Sequence, residues 1–216
     1  MKKWLLIKCV VFLFVFSSCQ KEIKQDLPPG GGGTTDDYQP VSAGSEWNYS
    51  STSIGNFTVK SLGTDTLIGG VKYYKFDRVS TPGTQRAYYS KVNGVYKEYG
   101  YFAPIGAALE FTRLKDSAIG VNWTNIISLA GFSNYHKYTI AAKGIQHTVN
   151  GKTFNNVIEL DYQFSLDNPL GSGIIQAGGG KSYFAKDVGA IESFYKTDIF
   201  GTANNDTTKL VSYTIR

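Results

Sequence analysis

Cysteine is almost absent from this chain of 216 residues, and both cysteines, Cys9 and Cys19, lie near its beginning. Beyond residue 19 there is no thiol for a disulfide or a nucleophile, which excludes a disulfide-stapled fold and cysteine-based catalysis. Histidine is also scarce, with only His136 and His147. Metal sites need several ligands that converge at short spacing, and none is visible, so the sequence predicts no metal and no cofactor.

Long basic runs and long apolar runs are missing as well. The net charge of +5 falls to +2 when Lys2, Lys3 and Lys8 are removed with the N-terminal segment. No cluster of lysine and arginine of the kind that binds nucleic acid remains. The apolar run at the N-terminus ends at Phe16 and is interrupted by Lys8, whereas a spanning helix needs roughly 20 apolar residues. The sequence therefore predicts neither nucleic-acid binding nor a spanning helix.

The N-terminal segment has the order of an export signal. Two lysines open it, an apolar stretch follows, and the small residues Ser17 and Ser18 precede Cys19. This order resembles the signal peptide of bacterial lipoproteins, although Phe16 stands where that pattern usually has leucine. The resemblance implies a signal peptide at residues 1–18 and a mature N-terminal Cys19 that carries lipid, palmitate included. An ordinary secretory signal that ends near a cysteine is the alternative.

The same resemblance implies a location. A bacterial lipoprotein carries three acyl chains, which anchor a protein stably without a spanning segment. Gln20 follows the cysteine where aspartate would favour the inner membrane, so we expect the cell outer membrane. Residues 20–22 (QKE) resemble the surface-export signal of Bacteroidota-type bacteria, but their mixed charge leaves the leaflet, periplasmic or surface-exposed, open. Residues 19–37 are predicted to be the lipidated cysteine and a flexible linker rich in proline and glycine.

Beyond residue 37 the periodicity is that of β-strands. Along residues 157–164 (VIELDYQF), apolar and aromatic side chains alternate with polar ones, which is typical of a half-buried strand. Turn signals such as Asn93–Gly94 punctuate the strands, and no stretch keeps helical spacing over three turns. Residues 38–216 are therefore predicted to form a single β domain.

A pair of strands occurs twice in this domain. Residues 58–77 and 139–158 align at a constant offset of 81, which is 139 minus 58. Similar elements flank both copies: Gly44 with Trp47 and Gly120 with Trp123 before them, and the aromatic hairpins 88–96 and 183–191 after them. The alignment predicts an internal duplication over about residues 41–101 and 117–200, with chance similarity among tyrosine-rich strands as the alternative.

Each copy is interpreted as half a domain, because a repeat of roughly 80 residues is longer than the units of about 20 to 50 that stack into solenoids. The predicted fold class is all-β and antiparallel, with two sequence-related halves. The halves would cover one another's apolar faces as one curved sheet or half-barrel, or else as a two-sheet sandwich.

Three groups of residues imitate functional motifs. Residues 178–182 (GGGKS) resemble the end of a phosphate-binding loop, but Ile175 stands where that loop needs glycine and no helix follows, so we interpret them as a glycine-rich connection or bulge. Glu159 and Asp161 share a strand face at about 6 to 7 Å, a separation that overlaps that of glycoside hydrolases. They are also what the solvent face of a half-buried strand carries. The two histidines are predicted to face solvent on neighbouring strands. We therefore predict no catalytic residue and no enzyme.

Tyrosine is abundant, with 15 residues. Adjacent tyrosines in a strand point to opposite faces, so some rings are expected to face outward. Exposed rings stack on sugars or anchor protein contacts, although tyrosine is also enriched in strands without any function. The candidate ligand-binding residues are Tyr74, Tyr89, Tyr183 and Tyr195.

Beyond the signal, the chain resembles lipoproteins of Bacteroidota-type bacteria that combine a lipid signal, a polar linker and a β-rich domain. That domain opens with Gly-x-x-Trp-x-Tyr, here residues 44–49 (GSEWNY), and the second copy has Asn125 at the tyrosine position. The resemblance implies a location and a class of protein, and no activity.

Three functions stay open at this point. The first is a non-catalytic envelope module that binds a glycan or a protein partner through aromatic strand faces. The alternative is a carrier of lipid or another apolar ligand in a half-barrel, and an envelope hydrolase comes third. A cavity of several hundred cubic ångströms would favour the carrier, since ligand pockets measure about 300 to 1,000 Å³.

Overall fold

Alternating apolar and polar residues form strands along most of the chain. The computed structural model describes residues 37–81, 83–102, 107–129, 131–168, 171–199 and 201–216. Within them the strands are β1 (Glu46–Ser51), β2 (Gly55–Ile68), β3 (Val71–Ser80), β4 (Gly83–Val92), β5 (Val95–Phe102), β6 (Ala107–Lys115), β7 (Asn122–Leu129), β8 (Phe132–Val149), β9 (Lys152–Asp167), β10 (Ile174–Ala185), β11 (Gly189–Ile199) and β12 (Thr202–Thr214). No helix long and apolar enough to cross a membrane occurs in the described ranges.

These strands belong to one antiparallel sheet. Neighbours along the chain pair with each other, except β6 with β7, and the first strand also pairs with the last. Glu46 of β1 lies opposite Thr214 of β12, and Ser51 lies opposite Thr208. This pairing bends the sheet into a nearly closed, barrel-like form whose edges are β6 and β7. The prediction of an all-β antiparallel fold is confirmed, and it takes the form of one curved sheet rather than two packed sheets.

The two segments that align in the sequence occupy corresponding hairpins. Residues 58–77 lie in β2 and β3, and residues 139–158 lie in β8 and β9. The turns at Gly69–Gly70 and Asn150–Gly151 both place two successive residues at positive φ, between 50° and 80°. Glycine and asparagine tolerate that conformation better than other residues, which is why these dipeptides form tight hairpins. A common origin of the two halves stays a prediction.

The core lies inside the curved sheet, because alternate residues of each strand turn inward. Along β9 the inward side chains include Ile158, Leu160 and Phe164, which are all 0% exposed. Trp47 of β1 is 0% exposed and Trp123 of β7 is 7% exposed. The alternation seen in the sequence of residues 157–164 therefore identifies the buried face correctly.

The described chain begins inside the packed domain. The main-chain N–H of Tyr38 donates to the hydroxyl of Tyr96 (3.2 Å), and the hydroxyl of Tyr38 donates to the carbonyl of Asn156 (3.2 Å). Asp37 is 3% exposed and pairs with Lys91. Asp37, which the sequence analysis assigned to the linker, thus packs with the domain. The predicted signal peptide, Cys19 and the linker to residue 36 lie outside the described residues.

The glycine-rich segment 178–180 lies within β10. A Cβ atom on Gly180 would collide with the carbonyl oxygen of Phe194 in β11, and one on Gly178 would collide with that of Lys196. These glycines let two strands approach closely, which is a recognised use of glycine in a sheet. The segment is therefore the interior of a strand and not a connection between strands. The alternative interpretation as a bulge agrees with the register shift between Gln176 and Gly178.

Candidate functional site

Two small cavities lie on the inner side of the sheet. Their volumes are about 30 and 20 Å³, and both are lined by Arg113, Ser182, Phe184 and Tyr195. We call this space the interior cleft. One water needs about 10 to 15 Å³ measured in this way, so each cavity has room for about one to three waters. Neither approaches the 300 to 1,000 Å³ of a typical ligand pocket.

A buried ion pair borders the interior cleft. Arg113 Nε of β6 lies 3.1 Å from Glu98 Oε2 of β5, and both side chains are largely buried. The guanidinium of Arg113 also lies 5.2 Å from the ring centre of Tyr89. Burial raises the pKa of the Glu98 carboxyl, and the positive charges of Arg113 and Arg78 lower it in part. This pair was not predicted from the sequence, although Glu98 follows the buried Tyr96 by two residues and therefore shares its face.

The two histidines lie on the same strand, β8, rather than on neighbouring strands. His136 is 6% exposed and faces the core, where its Nδ1 lies 2.9 Å from the hydroxyl of Tyr162. Burial lowers the pKa of His136 to about 4. Burial also raises the pKa values of the Tyr138 and Tyr162 hydroxyls well above their usual range. The prediction that His136 faces solvent is therefore wrong.

Four side chains from consecutive strands form a row on the outer face of the sheet. Glu159 of β9 lies opposite Tyr183 of β10, Tyr183 opposite Glu192 of β11, and Glu192 opposite Lys209 of β12. Opposite residues share a face. This face is the outer one, because Ser182, next to Tyr183, is 3% exposed and points inward.

His147 joins this row from the end of β8. Its imidazole stacks on the ring of Tyr183, with ring centres 3.7 Å apart and planes at 7°. His147 Nε2 lies 2.6 Å from Glu192 Oε2, and Lys209 Nζ lies 3.2 Å from Glu192 Oε1. Burial raises the pKa of the Tyr183 hydroxyl, and the neighbouring Glu159 adds to that effect. The imidazole is thus half-buried and paired, not simply solvent-facing as predicted.

The two carboxylates that imitate a hydrolase share one lysine. Lys181 of β10 pairs with Glu159, and its Nζ lies 3.2 Å from Asp161 Oδ1. The hydrogen bond to Glu159 raises the pKa of Lys181 above its usual value. His136 lies on the opposite face of the sheet, so these groups do not converge with it. Among the described residues, no group of three or more histidine, aspartate or glutamate side chains is arranged to hold a metal ion.

An exposed aromatic ring completes this surface. Phe194 of β11 lies opposite Lys181, in the row next to Tyr183, and is 43% exposed. Phe194 was not predicted as a binding residue, although adjacent residues of a strand point to opposite faces and its neighbour Tyr195 was a candidate. We call this surface the outer patch, and its residues are His147, Glu159, Asp161, Lys181, Tyr183, Glu192, Phe194 and Lys209.

The four candidate tyrosines do not lie together. Tyr183 belongs to the outer patch, whereas Tyr195 lines the interior cleft and its hydroxyl lies 2.8 Å from Ser182 Oγ. Tyr89 is 1% exposed and packs in the core, and Tyr74 is half-buried against the same core cluster. None of the four is fully exposed, so Tyr183 is the member of the set best placed to meet a ligand from outside.

Comparisons with known proteins give one fold-level likeness. No protein-family model matches the chain, and no curated protein matches it. Among solved structures, the chain is similar to a crystal structure of a proposed lipoprotein from Parabacteroides distasonis, with a TM-score of 0.50 and 11% identity over 82% of this chain and 98% of that one. At this identity the likeness shows a shared fold.

Proposed function

We propose that this chain is a lipid-anchored protein of the cell envelope, in the outer membrane, and that its domain is a non-catalytic module that binds a glycan or a protein partner on its outer surface. The lipoprotein-type N-terminal sequence supports the anchor. A shared fold with a proposed lipoprotein is consistent with that class.

The observation that carries the binding proposal is the small size of the interior cleft. Its cavities of about 30 and 20 Å³ leave no room for a lipid chain or a sugar ring. Arg113, Phe184 and Tyr195 line both of these cavities. These cavities, which are lined by described residues, do not favour the carrier alternative, and their small size supports binding on the outer surface.

The outer patch has the composition that such binding needs. Phe194 offers an exposed ring face, Lys181 lies next to it as a donor, and Asp161 follows on the far side of Lys181 as an acceptor. The side chains of Asp161 and Lys181 are 53% and 48% exposed. Sugars stack on aromatic rings through their C–H faces and hydrogen-bond through their hydroxyls, so this combination suits a glycan. The rigid stack of His147 on Tyr183 would hold the neighbouring surface in place.

Binding of defined oligosaccharides tests the proposal, with the chain from residue 20 onward immobilised without its lipid. We expect Phe194→Ala to weaken binding at least fivefold. Phe132→Ala is the matched control, since Phe132 is 40% exposed on β8 outside the patch. Native mass spectrometry of the same protein addresses the carrier. A co-purifying lipid mass, or equal binding by both variants, contradicts the proposal.

A further inference from the structure

The line between β6 and β7, which we call the seam, is closed by side chains instead of a strand ladder. Both strands are edges of the sheet, and within the described residues no main-chain hydrogen bond joins one to the other. The connection at 116–121 keeps one end of the seam together, since Asp116 N–H donates to Gly94 (2.7 Å) and Gly120 N–H donates to Ile140 (2.9 Å).

Asn125 of β7 holds the seam at Thr112 of β6. The main-chain N–H of Thr112 donates to Asn125 Oδ1 (3.0 Å), and Asn125 Nδ2 donates to the carbonyl of Thr112 (2.9 Å). Trp123 Nε1 donates to the same carbonyl (2.9 Å). The carboxamide of asparagine is chemically a peptide group, with one acceptor and a donor. Asn125 therefore offers Thr112 the two bonds that a neighbouring strand would offer.

The side-chain bridge also sets the width of the seam. Paired strands lie about 4.8 Å apart, and a side chain placed between two backbones widens that spacing. In a β-strand, the main-chain N–H and C=O groups of alternate residues point to the same side. Glu110 and Ala108 therefore direct these groups to the same side of β6 as Thr112 does. Such edge groups are the template for strand addition.

We propose that the seam accepts an extended segment of a partner protein, whose main chain displaces the Asn125 carboxamide and pairs with β6 and β7. The side chains of such a segment would alternate between the outer and the inner side of the sheet, and each side of the seam offers them a contact. Ile126 of β7 is 61% exposed on the outer face, and Phe111, Thr112 and Arg113 line the interior cleft directly behind the seam. The segment would place an apolar side chain outward and a small polar one inward.

A second copy of this chain fits the seam less well. The fixed connection at 116–121 means that the seam opens from the ends at Ala107 and Leu129, as a wedge. In a second copy, β6 and β7 are each paired along their other side, to β5 and to β8. Neither can enter a wedge without leaving its own sheet, whereas a segment that is already extended can.

A synthetic peptide with the sequence of residues 107–115 is the probe, because this segment forms a strand in the sheet and is long enough to pair along the whole of β7. Binding of the fluorescent peptide to the chain from residue 20 onward is measured by anisotropy. We expect Asn125→Ala to bind at least fivefold more tightly than the original chain, because the competing carboxamide is gone. Asn134→Ala is the matched control, since Asn134 donates to Ile127 within a paired hairpin, and it should bind like the original chain. If Asn125→Ala does not fold, Asn125→Asp replaces it, because aspartate keeps the acceptor and loses the donor.

Strand pairing at the seam requires the main-chain N–H donors of the peptide, and a second peptide tests this requirement. A peptide with the same side chains but N-methyl groups at alternate residues lacks the donors, so we expect it to bind at least tenfold more weakly. Equal binding of both peptides, or no binding of either at 1 mM, overturns the proposal. A concentration-dependent dimer of this chain that the peptide does not dissociate also overturns it. Phe194→Ala should leave peptide binding unchanged, which separates this test from that of the outer patch.

Discussion

Arg113 and Glu98 form an ion pair inside the curved sheet, with 3.1 Å between Arg113 Nε and Glu98 Oε2. A buried pair of this kind contributes little net stability, because both ions lose their hydration, but a single remaining charge is costly. The pair therefore makes the core sensitive to loss of either partner. Arg113 also lies over Tyr89, so its removal affects core packing as well.

Arg113→Met should lower the free energy of unfolding by about 3 to 5 kcal/mol near pH 7, because it leaves the Glu98 carboxylate buried without its partner. The positive charge of Arg113 lowers the pKa of Glu98, so the variant raises that pKa further. A raised pKa of an acid means that the folded state binds its proton more readily. The loss should therefore shrink as the pH falls through the raised pKa of Glu98. Urea unfolding between pH 5 and pH 8 measures both effects.

The double variant Arg113→Met with Glu98→Gln is the control for this prediction. It removes both charges, so it should recover part of the stability that the single variant loses. A double variant as unstable as Arg113→Met alone would show that packing over Tyr89, not the buried charge, dominates.

His136 should make the domain less stable in mild acid. Burial lowers its pKa to about 4 in the folded state, whereas the unfolded chain has an ordinary value of about 6.5. Between these values the unfolded state binds a proton that the folded state does not, so stability falls as the pH drops from about 6.5 to about 4. The full effect is on the order of 3 kcal/mol. His136→Phe should remove that slope, as judged by unfolding at several pH values.

Tyr162→Phe is the matched variant for the pH effect. It removes the hydroxyl that lies 2.9 Å from His136 Nδ1 but leaves the imidazole in the core. Burial is the cause of the lowered pKa, so this variant should keep most of the pH slope. Loss of the slope in Tyr162→Phe would show that the hydrogen bond, and not burial, lowers the pKa of His136.

Gly180 should tolerate no side chain. A Cβ atom there would collide with the carbonyl oxygen of Phe194, so Gly180→Ala forces β10 and β11 apart and should cost at least about 1 to 3 kcal/mol. Gly100→Ala in β5 is the control, because nothing lies within 4 Å of its added Cβ. That change should stay within about 0.5 kcal/mol. Equal melting temperatures for both variants would contradict the close approach.

Local alternation was enough to predict the strands, the buried face of β9 and the all-β class. The pairing between distant strands could not be predicted in this way. The sheet closes because β1 pairs with β12, and the local sequence of either strand does not indicate which strand it pairs with. His136 shows the same limit: its position fits either face of β8, and the neighbouring strands decide that it is buried. Asn125 was read as a departure from the Gly-x-x-Trp-x-Tyr pattern. Its role follows only from its place opposite Thr112, across an edge that the sequence does not mark.

Cys19→Ser should release the protein from the membrane fraction. The prediction rests on the order of the signal, which ends in small residues before the cysteine. Loss of the acylated residue removes the proposed lipid anchor, because the acyl chains are what hold a bacterial lipoprotein at the membrane. Fractionation followed by a carbonate wash measures the change. A variant that still sediments with membranes would refute the lipoprotein assignment.

Trp47 and Trp123 should matter equally to stability, one in each half of the sheet. Each follows a turn glycine by three residues, and these glycines, Gly44 and Gly120, have positive φ values of 74° and 86°. Both tryptophans are buried, and replacement by alanine should cost about 3 to 5 kcal/mol at either site, as large-to-small changes in a core do. Chemical unfolding of the two variants measures this. A Trp123→Ala protein as stable as the original chain would contradict the equivalence of the halves.

Trp123 carries a second role that separates it from a purely apolar core residue. Its indole Nε1 donates to the carbonyl of Thr112, 2.9 Å away, and so helps Asn125 hold the seam. Trp123→Phe keeps the ring stacked on Tyr138 but removes this donor. We therefore expect faster hydrogen exchange at the main-chain N–H of Thr112 in Trp123→Phe, by at least threefold, because the seam opens more often. Asn125 accepts directly from the N–H of Thr112, so we expect this amide to exchange faster in Asn125→Ala than in Trp123→Phe. The reverse order would mean that the indole, and not the carboxamide, closes the seam.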